Sequence, residues 1–166
     1  MDVTALQWIN ANPIWNQGMI RKGVLPARAS NLESTIPFSG HWKVNVERDG
    51  LYEFEVRRWP KESGLKICQG VKAHSPELTS RPSFSSVKGV ALPVFAATLR
   101  INNVDLETKL VTPEDRSIRF TRTLFKGSHQ FSPYFEVSLP DREGESVELG
   151  CYYLAVTRLD GSADEK

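Results

Sequence analysis

The sequence predicts an all-β domain: a two-layer antiparallel β-sandwich, jelly-roll-like, with an irregular or part-helical N-terminal segment. Three observations lead there. Apolar and polar residues alternate with period two through most of residues 40–159, as strands with one buried face require. Turn chemistry (Asp-Gly, Asn-Asn, Pro-Glu-Asp, Lys-Gly-Ser) recurs between those runs. A sustained helical stripe is almost absent, so about eight short strands must bury their faces against one another.

The elements follow in order. Residues 1–39 form a lead-in segment and loop, where Trp8, Ile9, Ile14, Trp15 and Ile20 are interrupted by Asn12-Pro13. Trp42, Val44 and Val46 then alternate with Lys43, Asn45 and Glu47; Asp49-Gly50 follows; Tyr52, Phe54 and Val56 alternate with Glu53, Glu55 and Arg57. Asp-Gly between two alternating runs predicts a hairpin. Trp59-Pro60 ends the second run, because proline cannot continue a ladder. Residues 61–88 are rich in Ser, Pro and Gly and read as a long excursion, with a short strand at Leu65–Cys68. Further strands are expected at Val94–Ile101, Glu107–Val111, Ser117–Phe125 and His129–Leu139, with a turn at Asn102-Asn103. The last, Val147–Leu159, is apolar on both faces and is expected to lie centrally or between layers. The β-sandwich therefore occupies 40–159, and 160–166 reads as a frayed polar tail.

A chain of 166 residues suggests one domain and buries roughly 70% of its unfolded surface. It needs neither metal nor disulfide to fold. Cys68 and Cys151 read as buried thiols, with a disulfide the lesser alternative, and no Cys/His cluster suggests zinc. His41, His74 and His129 are scattered and read as surface or turn residues. A formal net charge of +1 gives no sign of a nucleic-acid partner. No apolar run approaches the ~20 residues of a membrane span, and no secretory leader is expected at the N-terminus.

Catalytic motifs are scarce. There is no Gly-rich phosphate loop and no Gly-x-Ser-x-Gly elbow. Glu53 and Glu55 share a strand face, as a glycosidase pair could, but a solvated face accounts for them better. The candidate ligand or interdomain contacts are Trp8, Trp15, Arg57, Arg58 and Trp59. A flat indole can cover a sugar face, and an adjacent arginine can bind a sulfate. Arg57 and Arg58 are neighbours on a strand, so they point to opposite sides and cannot both grip one ligand. The alternative is structural: one arginine in an ion pair, one at a layer edge, and Trp59 closing the sandwich.

Several blocks resemble the C-terminal accessory β-domain of bacterial arylsulfatases. Gly40–Pro60 is similar to its G-x-W-x-V-x-V-x-x-D-G-x-Y-E pattern running into L-R-R-W-P. Trp15-Asn16-Gln17, Ala91-Leu92-Pro93, Ala97–Ile101, Val111–Asp115 and Gly150–Arg158 match in the same order, while residues 61–89 match nothing. The resemblance implies a non-catalytic domain that packs on a sulfatase catalytic domain and frames its substrate entrance. It also implies a parent that is periplasmic or secreted. Calcium and formylglycine would belong to that catalytic domain only; no cofactor is expected in this segment. Ser138-Leu139-Pro140-Asp141-Arg142 fits the short S-x-P-x-R nucleophile pattern, but it falls at a strand end near the end of the chain and lacks the downstream Thr-Gly. The alternative function is a carbohydrate-binding module that recognises sulfated or other glycans; an independent enzyme ranks third. An arylsulfatase assay on this chain is expected to read blank, and turnover abolished by Ser138→Ala would reverse that expectation.

Overall fold

The computed structural model describes residues 1–4, 9–12, 39–71, 89–138 and 144–159. They form eleven strands: β1 (Asp2–Thr4), β2 (Ile9–Asn12), β3 (Ser39–Val46), β4 (Gly50–Arg57), β5 (Val94–Ile101), β6 (Val104–Leu110), β7 (Ile118–Leu124), β8 (Gly127–Phe131), β9 (Tyr134–Ser138), β10 (Ser146–Gly150) and β11 (Tyr153–Arg158). A four-stranded sheet has the order β1-β11-β4-β7. A seven-stranded sheet runs β10-β9-β5-β8-β3-β2, with β6 added on β5. Every pairing between these strands is antiparallel. The architecture is the all-β, two-layer sandwich that the alternation predicts.

Alternation assigns the faces of β3, β4 and β7, but Phe95, expected on one face with Ala97, Leu99 and Ile101, is exposed where the β5–β9 register shifts. Phe54 and Val56 are buried, and so are Trp42 and Val46. The two sheets meet over one apolar interior that includes Phe54, Phe120, Phe131, Phe135, Leu99, Leu149 and Leu154. Phe54 of one sheet meets Phe131 of the other edge to face, ring centroids 5.2 Å apart, a favoured aromatic geometry.

The Asp49-Gly50 connection is not a hairpin. β3 pairs with β8, and β4 pairs with β7 and β11, so the chain crosses from one layer to the other. The β7–β8 connection makes the same crossing beside it: Gly50 lies opposite Leu124 and Val46 opposite Gly127. Asp49 does not close its own turn; its Oδ1 accepts the Lys126 N–H at 2.6 Å and ties the two arches together. The Asn102-Asn103 turn is a true hairpin between β5 and β6, with φ of 52° and 63°. Asparagine tolerates that left-handed backbone better than other side chains do.

Other differences from the expectation have equally local causes. Val147–Leu159 is two strands in different sheets: Cys151-Tyr152 carries the chain from β10 to β11. Both faces of that stretch look apolar because it turns from one layer to the other through the core. The expected strand at His129–Leu139 breaks at Ser132-Pro133; β8 pairs with β3, and β9 with β5 and β10. Residues 65–68 form no strand, and a short 3-10 turn, Lys61–Ser63, precedes them. The lead-in segment is not wholly irregular or part-helical, since β1 pairs with β11 and β2 with β3. The tail 160–166 lies outside the described residues.

Truncating the ring that joins the layers should be costly. Phe131→Ala is expected to lower unfolding free energy by about 3–5 kcal/mol, whereas Leu110→Ala, 80% exposed on β6, should change it by less than about 0.5 kcal/mol. Urea denaturation of both variants checks this.

Candidate functional site

The Arg57–Trp59 run divides as strand geometry requires. Arg58 turns inward and is fully buried. Its Nη1 donates to the carbonyls of Ile67 (3.2 Å) and Gln69 (3.4 Å), and its Nη2 to that of Val90 (2.6 Å). The guanidinium lies 4.6 Å from the Trp59 ring centroid. Trp59 is 5% exposed, and its Nε1 donates to Gln69 O at 3.0 Å. Burial lowers the Arg58 pKa to about 10, so the group remains a cation at neutral pH.

Arg58 and Trp59 are buried and hold the base of the 61–88 excursion. Val71 and Gly89 bridge there, N–H to carbonyl in both directions. The backbones approach so closely that a Cβ on Gly70 would lie 2.6 Å from Gly89 O. Trp8 and Trp15 lie outside the described residues. Of the five candidates, Arg57 lines a cavity.

That cavity has a volume of about 260 Å³ and opens on the outer face of the four-stranded sheet. The register builds it. Asp2, Ala155 and Glu55 stand in one row across β1, β11 and β4, and Arg57 lies opposite Tyr153 in the next. Ala155 is small, so the row sinks at its centre. Tyr153 and Arg57 form one wall, Asp2 another, and Pro60, Lys61 and Glu62 close the end.

Glu55 is the electrostatic centre. Its Oε1 accepts from Arg57 Nη2 (2.7 Å), Ser117 Oγ (2.8 Å) and Arg119 Nη2 (3.2 Å). Burial alone would raise its pKa, but the Ser117 hydroxyl and Arg57 outweigh it, with Arg119 adding to them, and the carboxyl is held below its ordinary value. Glu55 is therefore an anion that accepts hydrogen bonds, not a proton donor. Glu53, on the same strand face, lies 3.9 Å from Arg119 Nε. The Arg57 Nε is buried and unpartnered among the described residues.

Other chemistry-bearing side chains are scattered. No group of three or more His, Cys, Asp or Glu could hold a metal among the described residues. Cys68 and Cys151 are free thiols; burial raises the pKa of both. Ser138 ends β9 opposite Ser146, and residues 139–143 are outside the described set. His41 is a half-buried strand residue rather than a turn residue, and burial lowers its pKa, with Lys43 assisting. Arg100 is held by Asp105 (2.6 Å) and Glu148 (3.0 Å) and stacks 4.3 Å from the Tyr134 ring, so its donors are committed.

Sequence reasoning missed Asp2, Lys61, Glu62, Tyr153 and Ala155 as parts of one cavity. The outward position of Tyr153 beside the small Ala155 carried a signal, but only the β4–β11 register brings them to Arg57 and Glu55.

No family model and no curated protein matches this sequence. Solved structures show a distant likeness. A family 35 carbohydrate binding module from an environmental isolate aligns at TM-score 0.47 and 8% identity, covering 95% of this chain and 92% of that one. The CBM35 from Cellvibrio japonicus Abf62 aligns at TM-score 0.46 and 8% identity, covering 95% and 93%. A ruminal GH26 endo-beta-1,4-mannanase aligns at TM-score 0.44 and 13% identity; this chain spans 26% of its length. Likeness at this level assigns no function.

The Glu55 network sets an acid limit. Its stabilisation is fully present above the unfolded carboxyl value, near 4.5, and is lost as pH falls through the lower folded value. Glu55→Gln should cost about 2 kcal/mol at pH 7. The gap from wild type should narrow steadily below that limit in melts recorded between pH 7 and pH 2.

Proposed function

We propose that this chain is a non-catalytic carbohydrate-binding β-sandwich whose glycan lies in the Tyr153–Arg57 cleft. The observation that carries this is the cleft itself. The Tyr153 ring and the small Ala155 lie beside fixed donors and acceptors. A sugar presents an apolar C–H face and a fringe of hydroxyls, which that mixture can match. Held as an anion by its neighbours, Glu55 can accept a hydroxyl but cannot protonate a leaving group. Asp2, Glu55 and Glu62 outnumber Arg57 and Lys61 along the lining, which favours an uncharged sugar over a sulfated one.

A second reading is the accessory domain of an arylsulfatase, packed on its catalytic domain. One observation supports it: the Gly40–Pro60 and Gly150–Arg158 blocks that carry the resemblance include neighbouring strands. They pair from Tyr153 opposite Arg57 to Arg158 opposite Tyr52 and so present one continuous surface.

A glycan array carrying neutral and sulfated members of the same backbones tests the first reading. Binding to neutral members is expected, with Tyr153→Ala weakening it about tenfold, the equivalent of ~1.4 kcal/mol. A blank array would remove the carbohydrate reading and leave the docking one.

A further inference from the structure

A second surface, away from the cleft, carries exposed chemistry that neither the fold nor the cleft uses. Where the two inter-layer arches meet, Phe125 stands 70% exposed. It lies between β7 and β8, and the ends of β7 and β8 are registered against β4 and β3. Beside it sits a lattice of amides. Protonated His129 Nε2 donates to Phe125 O at 2.8 Å, which leaves Nδ1 to accept from Asn102 Nδ2 at 3.4 Å. Asn102 Oδ1 accepts the Gln130 N–H at 2.8 Å, and Asn103 Oδ1 accepts Gln130 Nε2 at 2.9 Å. The left-handed Asn102-Asn103 backbone fixes both amides at the hairpin tip.

The inventory leaves groups over. An asparagine amide has two N–H donors and a glutamine carbonyl accepts twice. Among the described residues, Asn103 Nδ2 and Gln130 Oε1 have no hydrogen-bond partner. Asn103 is exposed and Gln130 half-buried, both are uncharged, and His129 links their lattice to the backbone of Phe125, whose ring is bare. Paired amide groups recognise hydroxyls, which donate and accept at once, while a ring covers an apolar C–H face. The charges at the two arches, Glu47 and Asp49 against Arg48 and Lys126, balance, so the surface selects no anion.

We propose that this arch end is a second carbohydrate-binding surface, built on Phe125, Asn103 and Gln130, that takes a neutral saccharide. It is independent of the Tyr153 cleft, which lies on the outer face of the four-stranded sheet. The module is then bivalent toward a long polysaccharide, and its apparent affinity rises where both surfaces engage one chain.

Isothermal titration with mannohexaose, xylohexaose and cellohexaose tests this in a Tyr153→Ala background. At least one hexasaccharide should still bind. Phe125→Ala and Asn103→Gly, added separately, should each weaken that residual binding about tenfold. Glycine keeps the left-handed backbone while removing the amide, and unchanged melting temperatures confirm that both variants fold. Residual binding that neither substitution alters would overturn the second surface. Loss of all binding in Tyr153→Ala would also overturn it, leaving the cleft as the site. A wild-type chain that binds no saccharide would remove both surfaces.

Discussion

Phe54 and Phe131 meet edge to face across the interior, 5.2 Å apart, and they belong to different sheets. That contact expresses the constraint on which the rest of the molecule depends. At three places strands that follow one another along the chain, β3 and β4, β7 and β8, β10 and β11, do not pair but lie in different sheets across a shared core. The chain crosses between layers at residues 47–49, 125–126 and 151–152. Each crossing puts the apolar residues of two successive strands on opposite walls of one cavity, so burying one wall buries the other. Asp49 and Lys126 lock two of these crossings together at 2.6 Å.

Arg58 solves a problem that this frame creates. The long excursion after β4 must leave and rejoin the sandwich beside the core, with backbone carbonyls that water cannot reach. A buried guanidinium supplies fixed donors to Ile67, Gln69 and Val90, and the Trp59 ring covers its face. A buried cation without such partners would be strongly unfavourable. Here carbonyl dipoles compensate its charge, and Gly70 and Gly89 let the two segments close below it. The tight aromatic-basic run Arg57-Arg58-Trp59 therefore divides its work. Its inner members secure the loop base, and Arg57 alone reaches the outer surface.

The two polar surfaces differ in kind. The cleft on the four-stranded sheet is electrostatically organised: Glu55 is gripped by Ser117, Arg57 and Arg119, which keeps its carboxylate charged and stationary. The arch end is organised by neutral amides locked through a left-handed hairpin tip. The cleft rests mainly on paired strands and the arch end on a hydrogen-bonded hairpin tip, so their donors and acceptors are held in position before any ligand arrives. Preorganisation of this sort reduces the ordering cost of binding.

The sequence by itself determined which residues face inward along several of the strands, β3, β4 and β7 among them. Trp42, Val46, Phe54, Val56, Phe120 and Phe135 are buried where alternation places them, and Asn102-Asn103 turns where asparagine chemistry requires. Opposite orientations for Arg57 and Arg58 followed from the same rule. These are properties of a single strand or a single turn, encoded within a few residues. Tertiary structure alone decided which strands became neighbours. Asp49-Gly50 reads as a hairpin, yet it became an arch, with β3 paired to β8 and β4 to β7 in separate layers. Val147–Leu159 reads as one strand, yet it divides between sheets. The cleft exists because Ala155 falls opposite Glu55, about a hundred residues away in the chain. Period-two alternation records a face and carries no information about a partner, so a site assembled from register between distant strands could not be read in advance.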